Sequence, residues 1–118
     1  MLQHVSLEVP SPDGDASVEF WRLLGFQPVE APSEIADYVR WVERNGTQIH
    51  LILTDPASAA IPQLGHCAVV VDDFSETLDR LRAAGHEVAE ARELWGAPRA
   101  FAMSPGGHRV ELMASPPA

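Results

Sequence analysis

The chain has 118 residues, 46% of them hydrophobic, with a formal net charge of −9. That is enough apolar material for one globular domain or two closely joined half-domains, and it excludes a disordered or fibrous chain. The eight cations are scattered and all are arginine, which argues against nucleic acid and anionic membrane and leaves small molecules or proteins as the expected partners.

No run approaches the ~18 apolar residues of a membrane span. The opening "MLQHVSLEVP" lacks the basic start and long apolar stretch of a signal peptide, so a cytoplasmic location is expected. Without lysine, Schiff-base and pyridoxal chemistry are closed. A single Cys67 excludes an internal disulfide and a Cys-rich zinc site. There is no Gly-rich dinucleotide fingerprint and no phosphate-binding loop.

In chain order, "LQHVSLEVP" alternates as a strand and "SPDGD" ends it. "DASVEFWRLLGF" predicts a helix with Ala16, Phe20 and Leu24 on its apolar face, Asp15 as N-cap and Gly25 as its stop. Strands are expected at Phe26 to Ala31, "DYVRWVER" and "TQIHLIL", the last two joined by an Asn45-Gly46 hairpin. After the linker "DPASAAIPQ" the order begins again. "LGHCAVVV" reads as a strand, and "DDFSETLDRLRAAG" as a helix with Phe74, Leu78 and Leu81 on one face, an Asp73/Glu76 capping pair and Gly85 as its stop. "HEVAEA", "RAFAMS" and "HRVELM" complete the series. The expected fold is α+β, two tandem βαβββ modules, with module one at about 1–54, a linker at about 55–63 and module two at about 64–114.

Aligning the halves sets His4 with His66, Gly25 with Gly85, Gly46 with Gly107, and His50 with Glu111. Four residues with metal-ligating side chains therefore occupy the first and last strands of each half. Strand parity puts His4 on one face with Ser6 and Glu8, opposite the apolar Val5, Leu7 and Val9. Glu111 stands among Val110, Leu112 and Met113, where an unpaired carboxylate is costly. Its alternatives are a ligand position or a solvent-facing one across from Arg109 or Gln48. The repeat favours a shared metal site of His4, His50, His66 and Glu111. Three imidazoles and a carboxylate suit Ni, Zn, Mn, Co or Fe, and on an octahedral ion leave two adjacent positions for a substrate with neighbouring oxygens.

At "HVSLEV", "FWRLLGF", "GHCAVVVDD", "LDRLRAAG" and "SPGGHRVELM" the chain resembles the vicinal oxygen chelate superfamily of glyoxalases, bleomycin-resistance proteins and extradiol dioxygenases. The resemblance covers nearly the whole chain. It implies paired βαβββ modules that curl into a cup of mixed sheet around a divalent metal, commonly as a homodimer, with His4, His50, His66 and Glu111 as the ligand positions. Bacterial glyoxalase I has Glu where this chain has His50, Arg where it has Glu8 and Asn where it has Thr54, which argues against glutathione as substrate. The expected activity is of isomerase or lyase type on a small oxygenated metabolite or antibiotic, with Glu111 also moving the proton and Glu8, Trp41, Arg99 and Phe101 contacting substrate. The alternative is sequestration of a drug or metabolite without catalysis, for which Trp21, Trp41, Trp95 and Phe101 could form an aromatic wall. Arg40 and Arg99 lie on or beside the third strand of each half, as anion-binding or salt-bridging residues. His86 and His108 are expected at the surface, and Cys67 as an inert, buried thiol.

Overall fold

A computed structural model describes residues 1–117. The chain divides into two compact units, Met1–Ile61 and Pro62–Ala118. Each repeats one plan. In the first unit β1 (His4–Pro10) runs through a short 3-10 turn (Ser11–Asp13) into α1 (Gly14–Leu23), followed by β2 (Gln27–Val29), β3 (Val39–Arg44) and β4 (Thr47–Thr54). In the second, β5 (Cys67–Val70), α2 (Phe74–Ala83), β6 (Val88–Ala91), β7 (Arg99–Met103) and β8 (Arg109–Met113) follow in the same order. The sheets are open and four-stranded, ordered β1-β4-β3-β2 and β5-β8-β7-β6. In each, the first and last strands pair in parallel and the others are antiparallel.

Alternation sorts each sheet into an apolar face for its helix and a second face that carries polar residues. In the first unit Val9, Val42, Ile49 and Leu51 are buried, and α1 packs on β2, β3 and β4. The buried stripe of α1 is Ser17, Phe20 and Trp21, continued by Leu24. Ala16, expected on that stripe, is exposed, because the buried face follows the i, i+3, i+4, i+7 spacing of Ser17, Phe20, Trp21 and Leu24, and Ala16 falls beside it. The N-cap is Asp13 rather than Asp15, and it makes no side-chain cap bond. Ser17 donates instead to the Asp13 carbonyl at 2.8 Å. In the second unit Val110, Leu112, Ala100 and Ala102 are buried on the sheet and Leu78 and Leu81 on the helix, and the Asp73 carboxylate accepts from the Glu76 amide at 3.2 Å as expected.

The helix stops Gly25 and Gly85 both lie in the left-handed region, at φ 90 and 91, where a β-carbon is disfavoured. The Asn45-Gly46 turn has φ 51 and 84, the twist that a two-residue hairpin requires. Among the described residues no helix is long and apolar enough to cross a membrane.

Candidate functional site

Register shows how far the repeat extends into the polar faces. Ser6 stands opposite His50, and Ala68 opposite Glu111, so each histidine two residues earlier, His4 or His66, is a diagonal same-face neighbour of the fourth-strand residue. Trp41 is opposite His50 and Phe101 opposite Glu111, giving each pair an aromatic on its other side. His66 itself precedes β5 rather than opening it.

In the first unit the His4 and His50 rings stack at 4.0 Å and 14°, and Trp41 covers the other face of His50 at 4.0 Å and 5°. Gln48 donates to Glu43 Oε1 at 2.9 Å, which turns its own oxygen toward His50 Nε2 at 2.7 Å. His50 therefore carries its proton on Nε2 and has its lone pair on Nδ1. His4 Nδ1 lies 2.6 Å from Gln3 Oε1, leaving Nε2 as its lone pair. Burial, and then the neighbouring His4, lower the pKa of His50 below its ordinary 6.5, favouring the neutral ring that a metal needs.

In the second unit His66 Nδ1 is 2.9 Å from the Leu64 carbonyl and Nε2 is 3.1 Å from Glu111 Oε1. Both neighbours are acceptors. A neutral imidazole has one N–H, so one of the two contacts sets a nitrogen lone pair against an acceptor oxygen, that of the Leu64 carbonyl or that of the Glu111 carboxylate. A proton or a metal ion between them removes that conflict. Arg99 Nε donates to the other carboxylate oxygen, Oε2, at 3.0 Å. Glu111 is thus buried and paired with Arg99 rather than with Arg109, which lies over Phe101 at 4.2 Å.

The donor types suit a divalent cation; in the second unit His66 Nε2 and Glu111 Oε1 face one another, whereas the stacked His4 and His50 rings hold their lone pairs in separate, nearly parallel planes, so one ring has to turn before both could meet one ion. Among the described residues neither unit by itself groups three or more such side chains.

Glu8 shares the His4 face, opposite Ile52. A cavity of about 590 Å³ in the first unit lies against α1, β2 and β3, with Val18, Pro28, Val29, Arg40 and Trp41 in its lining. Trp41 thus touches both the cavity and the histidine stack, whereas Glu8 is outside the lining. Arg40 Nη1 donates to the Val39 and Ala36 carbonyls at 2.8 and 3.2 Å, and its Nε is 3.5 Å from Asp15. Trp21 belongs to the core at 1% exposure and forms no wall. His108, expected at the surface, is buried, because the tight turn there returns its carbonyl to the Ser104 amide and hydroxyl. His86 is half-buried, and burial lowers its pKa. Burial raises that of Cys67, which keeps the thiol protonated and unreactive. The pairings of Gln48 with His50, of Gln3 with His4 and of Arg99 with Glu111 went unpredicted, although Arg99 is a same-face diagonal neighbour of Glu111 once β7 and β8 are put in register.

Residues 2–112 match the family model of the Glyoxalase/Bleomycin resistance protein/Dioxygenase superfamily. The chain belongs to this superfamily. Solved structures carry the same fold. A candidate glyoxalase-family protein from Bacillus anthracis is 21% identical, with TM-score 0.83 over 96% of this chain and 93% of that one. The lactoylglutathione lyase of Agrobacterium tumefaciens is 21% identical, with TM-score 0.73 over 96% and 92%. A bleomycin resistance determinant encoded on the transposon Tn5 is 20% identical, with TM-score 0.61 over 92% and 94%. No curated protein matches the chain. At these identities the likeness to superfamily structures establishes the fold, and the chemistry rests on the residues above.

Proposed function

We propose that the chain is a divalent-metal-dependent enzyme of its superfamily that acts on a small oxygenated metabolite or antibiotic by chelation and proton transfer, as an isomerase or lyase. The observation that carries this reading is the contact of His66 with two acceptors, one of them a buried carboxylate, at the position where the other unit sets His4 beside His50. His4, His50, His66 and Glu111 are the residues that would hold the ion. When bound, the ion would polarise neighbouring substrate oxygens and acidify the adjoining C–H. Glu111 moves the proton at Oε1, the oxygen that Arg99 leaves to it. Trp41 and Phe101 beside the donors exclude water and offer flat apolar contact to substrate. Self-pairing as a homodimer and a cytoplasmic location belong to the same proposal.

The test is elemental analysis of protein purified without chelator, followed by reconstitution with Ni, Co, Mn, Fe and Zn. Stoichiometric uptake by the wild type, lost in a His66→Ala variant that stays folded, is expected. No uptake by the wild type sinks the reading. A second reading, sequestration without catalysis, is favoured by the cavity beside Trp41, and it requires no stoichiometric ion.

A further inference from the structure

We infer that Arg99 is a positioning residue for Glu111, holding Oε2 so that the carboxylate presents only Oε1 on the His66 side. This rests on the divalent-metal reading above. Arg99 Nε donates to Oε2 at 3.0 Å and Nη1 donates to the Arg92 carbonyl at 2.8 Å. The guanidinium carbon also lies 5.7 Å from the Trp95 ring centre and 5.2 Å from that of Phe101. The two side chains are only 13% and 9% exposed. The guanidinium is therefore anchored from several directions, and its rigid donor geometry fixes the rotation of the carboxylate it binds.

The duplication supplies an independent argument. Phe101 faces Glu111 as Trp41 faces His50, so Arg99, two residues before Phe101, takes the place that Val39 has in the first unit. A neutral imidazole in the fourth strand goes with valine at that place, and a carboxylate goes with arginine. Charge is present at both positions of one unit and at neither position of the other.

The sign of the effect separates positioning from mere proximity. An arginine acting only as a nearby charge repels a divalent ion, and its removal would tighten binding. Positioning predicts the opposite. Co2+ is titrated into wild type, Arg99→Met and Arg99→Lys, with folding checked by circular dichroism and coordination read from the visible absorption of bound Co2+. Arg99→Met is expected to bind roughly 10- to 100-fold more weakly, the usual effect of losing a partner of a metal ligand, with an altered band, and Arg99→Lys to recover part of both. Equal or tighter binding, or weaker binding with an unchanged band, overturns the inference. A wild-type protein that takes up no Co2+ overturns the metal reading and this inference with it. If Arg99→Met does not fold, Glu111→His is compared with Glu111→His/Arg99→Val, which copies the first unit's pattern. The double variant is expected to melt at the higher temperature, because the single one buries an unpaired guanidinium, and a double variant no more stable than the single overturns the coupling.

Discussion

His50, pressed between Trp41 and His4, shows what one position can require of its neighbours. Its lowered pKa, and that of His86, mean that the unfolded chain binds more protons than the folded one once the pH falls below 6.5. Stability is then unaffected above that pH and declines as the pH drops through and below it. Chemical denaturation at about pH 7.5 and pH 5.5 should show the loss, and His86→Asn should flatten part of the slope. An unchanged slope in the variant assigns the effect elsewhere. For Glu111, replacement by Gln preserves shape and one oxygen ligand while removing basicity. Once a substrate is found by screening α-hydroxycarbonyl compounds for deuterium uptake, Glu111→Gln should retain metal and lose roughly 10²- to 10⁴-fold in exchange rate. Wild-type exchange with metal in place would make Glu111 a ligand alone and Glu8, on the His4 face, the base to examine. That His4 would stand beside His50, and His66 beside Glu111, was readable from the repeat, because strand parity is a local property that both halves share. The other partners of these residues were not. The pairing of Glu111 with Arg99 arises from the register between two strands, which a single sequence does not state.

The elements themselves were largely readable, since alternation, helical periodicity and turn residues agree with one another in both units. Where they were not, a short local structure intervened. The turn at Ser11–Asp13 moved the start of α1, and β2 and β6 are shorter than their apolar stretches, at Gln27–Val29 and Val88–Ala91. The two helix starts make a contrast that can be measured. Asp73 caps α2 through its side chain and Asp13 does not cap α1, so Asp73→Ala should lower stability by about 1 kcal/mol while Asp13→Ala leaves it nearly unchanged. Equal losses in thermal melts would refute the distinction. At the β3–β4 hairpin a β-carbon on Gly46 meets nothing within 4 Å, so Gly46→Ala isolates backbone strain at φ 84, with an expected loss of about 1 kcal/mol.

Over the whole molecule, the same strand order in two sheets leaves each unit with edge strands that its own sheet does not pair. Exposed edges invite pairing with a second copy, and light scattering at micromolar concentration should give twice the mass of one chain. A monomer mass would contradict that expectation. The parallel pairing of first and last strands also sets a timetable. The hairpins β3–β4 and β7–β8 join neighbours in sequence, whereas His66 and Glu111 are 45 residues apart and His4 and His50 are 46 apart. Long loops close late in folding. Each donor pair is therefore expected to come together only as its unit completes. An ion that binds these donors would act as a clasp rather than a nucleus, slowing the unfolding rate while leaving the refolding rate almost untouched.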